Sequence, residues 1–168
     1  FDYVLQIGKT PIVVNDKRGF YTSRVFATYV MEGLAMVAEG VHPRSVEVAG
    51  LKAGMPMPPL ALQDEVSLSL SLHISAQTRK DLAAEGITYP AHPGEAVLQE
   101  VCGVRGRVGK KSGQGLYDYQ GKDKTLWPGL LEIYPPKAEQ PSQQDLIDRL
   151  MFIQANEAAR CYEEKVVR

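Results

Sequence analysis

The sequence predicts an all-α domain, and three observations carry that prediction. The longest periodic pattern runs from Phe20 to Ala38, where Val25, Tyr29, Val30, Leu34 and Val37 recur on one helical face. Prolines stand where helices begin, at Pro43 and Pro59, where a missing N–H costs nothing. Near the far end, Ser142-Gln-Gln-Asp145 forms a capping box with Asp in place of Glu.

The elements follow in order. Phe1 to Ile7 has the pattern of a helix end stopped by Gly8. Pro11-Ile12-Val13-Val14 is β-branched and apolar, as a buried strand would be. Asn15 to Gly19 is a turn, because Asn and Asp bond their own backbone and glycine accepts positive φ. The long helix follows, with Gly40 as a left-handed stop. Pro43 opens a second helix expected to end near Ala49, with Gly50 as its stop and Arg44, Glu47 and Lys52 in water. Met55-Pro56-Met57-Pro58-Pro59 is a rigid extended connector, since each proline restricts its predecessor.

Val66 to Ile74 supports two readings. Alternating Ser and apolar residues give the period of a strand. Leu62, Val66, Leu70 and Ile74 give the i, i+4 row of a helix, with Asp64-Glu65 near its start. Beyond the loop at Glu85–Gly94, Glu95 to Val101 reads as a short helix. Gly103 to Gly115 is glycine-rich and basic. Leu116 to Tyr119 is extended, Gln120 to Thr125 a polar turn, and Trp127 a packing anchor before a helical turn. Pro135 to Pro141 is a linker to the last helix.

Composition excludes several classes. The chain has 168 residues, 44% hydrophobic and 23% charged, which suits one globular domain. A formal net charge of -1 gives no broad basic field for nucleic acid. No apolar run approaches the ~20 residues of a membrane span. Two distant cysteines, Cys102 and Cys161, form no disulfide framework and point to a reducing, cytoplasmic setting. Both ends read as cut, so a piece of something longer is expected.

Candidate chemistry is sparse. Lys110 and Ser112 lack the full phosphate-loop pattern, and Gly103, Gly106 and Gly109 are not G-x-G-x-x-G. A structural loop with solvated cations is expected, the alternative being a phosphate approached by Arg105, Arg107, Lys110 and Lys111. His42, His73 and His92 have no metal-ligand spacing, so surface or capping roles are expected and no metal site. Asp64 and Glu65 are adjacent, point apart on a helix and cannot act as an acid/base pair. Ser23 is a polar residue in an apolar helix, whose simplest role is a bond back to a carbonyl one turn earlier.

Three stretches in order, KTPIVVNDKRGFYTSRVFATYVMEGLAMVAEGV, GMPMPPLALQDEV and GKKSGQGLYDY, resemble the C-terminal domain of 3-hydroxyacyl-CoA dehydrogenases. The likeness is greatest to multifunctional alpha subunits of the bacterial fatty-acid oxidation complex and runs from about Lys9 to the end. It implies a helical bundle of the 6-phosphogluconate dehydrogenase C-terminal-domain-like type, and it turns Val66–Ile74 towards helix. It divides the chain into 1–8, the tail of an NAD-binding domain; 9–135, the helical domain; and 136–168, a linker and the first helix of a second C-terminal repeat.

The implied reaction is oxidation of (3S)-3-hydroxyacyl-CoA with hydride passed to NAD. The His–Glu dyad and the NAD site belong to the preceding domain. This chain therefore carries no catalytic and no cofactor-binding residue, and alone it is expected to be inactive. The resemblance implies an acyl-CoA substrate, a homodimer or self-association, and a thiolase beta subunit as a further partner. Gly19-Phe20-Tyr21-Thr22-Ser23-Arg24 places Ser23 where the family usually has an Asn that bonds the substrate. Ser is shorter and has a single donor. Met55, Pro56 and Met57 would line the acyl path, stiffened by Pro58 where Gly is common. Two other readings stand beside this one: a purely structural or dimerisation module, and the helical domain of a dehydrogenase of small hydroxy acids.

Overall fold

A computed structural model describes residues 1–167. The described residues form eight α-helices: α1 Asp2–Gln6, α2 Thr22–Ala38, α3 Pro43–Lys52, α4 Pro59–Val66, α5 Leu68–Ala84, α6 Pro93–Leu98, α7 Gly129–Ile133 and α8 Gln143–Glu163, of which α1 buries no residue. A two-stranded antiparallel hairpin, β1 Tyr117–Gln120 with β2 Asp123–Leu126, is the only sheet among the described residues. The all-α expectation holds, with this small addition. No helix among the described residues is long and apolar enough to cross a membrane.

Helix α2 is the centre. It packs against α6, α8, α4 and α3. Tyr29, Leu34, Met36 and Val37 on α2 are fully buried. Close approach needs small residues at two contacts. A Cβ on Gly33 would stand 2.7 Å from Pro59 of α4, and one on Gly94 would stand 2.7 Å from the Met31 carbonyl. Gly40 ends α2 at φ +88. Its N–H bonds Val37 O at 3.0 Å and the Val41 N–H bonds Met36 O at 2.9 Å, the paired bonds of a Schellman stop.

Helix α8 lies along α2 and α3. Leu146, Leu150 and Cys161 are buried against them, at spacings that keep one face inward. Its start carries the expected capping box, Ser142 with Asp145. So the segment after the proline linker completes the core of this bundle, whatever follows it.

Several local expectations are corrected or refined. Pro11–Val14 is extended but not a strand, and Ile12 and Val13 are 55% and 79% exposed. Their β propensity finds no neighbouring strand to pair with. Helix α3 runs through Gly50 and stops at Gly54, φ +83. Gly50 serves close packing instead, because a Cβ there would stand 2.4 Å from Tyr29 Oη. The Val66–Ile74 stretch is helical, but Ser67 breaks it at φ 78, and Leu70 and Ile74 face outward. Within Gln120–Thr125, expected as one polar turn, Asp123–Thr125 pair back onto Asp118–Gln120. Helix α6 also starts two residues before the expected Glu95, because His92 Nδ1 accepts the Gly94 N–H at 3.1 Å. It continues as a π-helical turn over Gln99–Val104.

Candidate functional site

The first candidate is the turn that opens α2. Gly19 and Phe20 both take positive φ, +78 and 49. A left-handed phenylalanine is uncommon, and such strain persists only where surroundings enforce it. The turn closes through the Phe20 N–H on Lys17 O at 3.0 Å. Tyr21 then precedes the helix without a side-chain cap. Ser23 lies exposed in this first turn, beside a half-exposed Phe20. The bond back to a carbonyl expected of Ser23 is instead made by Thr28, to Val25 O at 2.7 Å. The Ser23 hydroxyl is therefore presented to the outside.

The turn is held from behind. Arg24 bonds Glu157 Oε1 at 2.6 Å and Glu164 Oε2 at 2.5 Å, both near the end of α8. Glu164, through its bonds to this guanidinium, is held below the usual carboxylate range. The Asn15 N–H bonds Val166 O at 2.9 Å, and Asn15 Nδ2 donates to Lys165 O at 2.5 Å. Val166 is fully buried.

The second candidate is Met55-Pro56-Met57. Met55 and Met57 are half-buried against the core, and Pro56 is exposed. Tyr29 Oη donates to Met57 O at 3.0 Å and fixes the segment to α2. Tyr29 is six residues along α2 from Ser23, roughly 9 Å of helix rise. The structure thus hangs both candidates on α2, at different heights, without direct contact shown between them.

Two carboxylates expected elsewhere are buried. Glu47, expected in water, is 6% exposed, and Asp64, expected at a helix start, is 1% exposed near the end of α4. Glu47 accepts the Leu60 N–H at 2.7 Å and the Tyr117 hydroxyl. Asp64 accepts the N–H groups of Leu116 and Tyr117, at 2.8 and 2.9 Å, and the Tyr119 hydroxyl at 2.9 Å. Burial pushes both carboxyls above their ordinary values despite these donors. Each is surrounded by donors of this chain, so both tie the hairpin to the bundle instead of facing a ligand. The tight glycine of Gly113-Gln-Gly115 was the available sequence signal. A Cβ on Gly115 would stand 2.2 Å from Asp64 Oδ1.

A family profile described as 3-hydroxyacyl-CoA dehydrogenase, C-terminal domain, matches residues 19–119, more than half of the chain. This chain belongs to that family. A solved structure, the dehydrogenase part of multifunctional enzyme 1 from C. elegans, aligns with 22% identity and a TM-score of 0.70. The alignment covers 99% of this chain and 37% of that one, and it shows the fold.

The match begins at Gly19, so the 3-hydroxyacyl-CoA dehydrogenase domain includes Ser23, Met55, Pro56 and Met57. It offers no dinucleotide cradle among the described residues. The glycine-rich segment runs from the end of the π-helical turn through a three-residue 3₁₀ turn at Lys110–Ser112 into the β1–β2 hairpin, not a strand–turn–helix unit. Its cations are also engaged. Arg105 pairs with Glu100 and Lys110 with Glu65. Arg107 is not solvated as expected. It is buried, donates to Gly115 O at 2.7 Å and to Asp118, and stacks 4.3 Å from the Trp127 ring. The phosphate alternative therefore loses three of its four cations to internal partners. His42 and His92 cap α3 and α6, and His73 is exposed.

Proposed function

We propose that this chain is the substrate-covering and assembly part of an NAD-dependent 3-hydroxyacyl-CoA dehydrogenase acting in fatty-acid β-oxidation. The observation that carries the reading is the exposed hydroxyl of Ser23, on a strained turn inside the family match. An exposed polar group on a tightly held backbone is what orienting a substrate requires. Ser23 would bond the acyl-CoA directly or through one water. Met55, Pro56 and Met57 would line the acyl chain, with the methionines adapting to its shape. Hydride transfer and the general base belong to a dinucleotide domain outside these residues, so no step is assigned to them here.

Steady-state kinetics of the enzyme that carries this chain test the reading. Ser23→Ala should lower kcat/KM for a (3S)-3-hydroxyacyl-CoA by about tenfold, the scale of one lost hydrogen bond in a closed site. Unchanged kcat/KM would reduce Ser23 to a helix residue and leave the structural-module reading. Equal activity on free hydroxy acids would favour the small-hydroxy-acid reading. Oxidation of the acyl-CoA by residues 1–168 alone would overturn the division of labour.

A second observation supports assembly. Helix α5 buries only Leu68 and exposes Leu70 and Ile74, at 49% and 53%. An apolar helix face of this kind seeks a partner, and we assign it to self-association. Sedimentation should show dimers that Ile74→Glu disperses.

A further inference from the structure

Two ion-pair clamps join α2 to α8, one at each end of their contact. At the start of α2, Arg24 holds Glu157 and Glu164. At its far end, Arg149 of α8 holds Glu32 at 2.5 Å and Glu39 at 2.6 Å. The two are close in chemistry. Each centres on one arginine shared by a mostly buried and a more exposed glutamate: Glu157 and Glu32 have side chains 11% and 14% exposed. They differ in what lies beside them. Only the first adjoins the turn that carries Ser23.

That turn has little of its own to hold it. The helix start has no side-chain cap, and Phe20 sits at positive φ. Apart from the Phe20–Lys17 bond and an exposed Arg18–Glu85 pair to the end of α5, what confines it comes from the end of α8. Arg24 lies under Gly19, where a Cβ would stand 3.1 Å from Arg24 Cγ, and its guanidinium is fixed by Glu157. The preceding Asn15 is fixed by Lys165 and Val166. A guanidinium shared between two carboxylates sets position as well as energy, because its donors are planar and directional.

We infer that Arg24 and Glu157 are positioning residues, through which the end of α8 sets where Ser23 stands against the substrate. The inference rests on the substrate-facing reading of Ser23. It makes α8 part of the substrate site's support.

The test uses the enzyme that carries this chain and compares Glu157→Gln with Glu32→Gln. Both variants should lower the melting temperature to a similar extent. Only Glu157→Gln should lower kcat/KM for a (3S)-3-hydroxyacyl-CoA, by about tenfold, since ~1 Å of misplacement can cost up to ~100-fold. Glu157→Asp, which keeps the charge, should recover part of that loss. If Glu157→Gln does not fold, Glu164→Gln removes the more exposed half of the clamp and should cost about threefold. Equal kinetic losses in Glu157→Gln and Glu32→Gln would overturn the inference, since that is general destabilisation. Unchanged kinetics in Glu157→Gln, with Ser23→Ala impaired, would overturn it and leave the function reading intact. Unchanged kinetics in Ser23→Ala would remove both.

Discussion

Glu47 and Tyr117, seventy residues apart, meet in the core through a hydrogen bond from the phenol to the carboxylate. The other carboxylate oxygen accepts the Leu60 N–H at the start of α4. One side chain of α3 therefore holds both a helix start and the hairpin. Truncation leaves two buried donors without partners, and each such orphan costs about 1–3 kcal/mol. Glu47→Ala should thus destabilise the fold by about 2–5 kcal/mol in urea unfolding, and Glu32→Ala at the rim by less.

The pH dependence of stability follows from the same burial. Glu47 and Asp64 are raised above their ordinary 4.5 and 3.8, chiefly by desolvation. The folded state therefore binds these protons more readily than the unfolded chain. Their contribution is full below those ordinary values and is lost as pH rises through the raised ones. Glu164 and Glu39 are lowered by Arg24 and Arg149, so their contribution is present above 4.5 and lost as pH falls. Urea midpoints across roughly pH 4 to 8 should show Glu47→Gln losing less stability with rising pH than the parent. A parallel curve would show that Glu47 titrates normally.

Two buried phenols and one half-buried phenol limit stability at the alkaline end. Tyr29, Tyr117 and Tyr119 are raised above 10.0, each mainly by burial. A raised phenol contributes stability below 10.0 that is lost as pH climbs through its folded value. Phenolate absorbance should therefore lag for these three and then rise together with unfolding. Tyr29→Phe removes the bond to Met57 O and should cost about 1 kcal/mol. If Met57 lines the acyl path, the same variant should raise KM more than it lowers kcat.

Gly50 and Gly54 separate close packing from backbone strain. An alanine Cβ at 50 meets Tyr29 Oη at 2.4 Å and Pro59 Cδ at 2.7 Å. Gly50→Ala should therefore destabilise by about 1–3 kcal/mol, as overpacking does. An alanine at 54 meets nothing within 4 Å but must accept φ +83. Gly54→Ala should cost about 1–2 kcal/mol from strain alone. A larger loss at 54 than at 50 would contradict this assignment of the two glycines.

Much of the helical layout was legible because its signals are local. The period of α2, the prolines opening α3 and α4, the stop at Gly40 and the box at Ser142–Asp145 each act within one or two turns of chain. So did the capping of α3 by His42. The family match was legible as well, since it follows residue order. The site was legible only in part. Ser23 was singled out by its position in a motif, and the fold leaves it exposed in the first turn of α2. What holds Ser23 in place was not visible, because Glu157 lies 133 residues from Arg24.

The sequence by itself determined a helical domain of this family, its main helix and its capped ends, because periodicity, proline and capping are properties of neighbours. Tertiary structure alone decided that Glu47 and Asp64 are buried, that Arg107 lies in the core, and that Pro11–Val14 stays unpaired. A carboxylate or an arginine enters a core only when distant donors or acceptors converge on it. A β-branched run becomes a strand only when another strand lies beside it. Those partners come from other segments of the chain, and only folding brings them together.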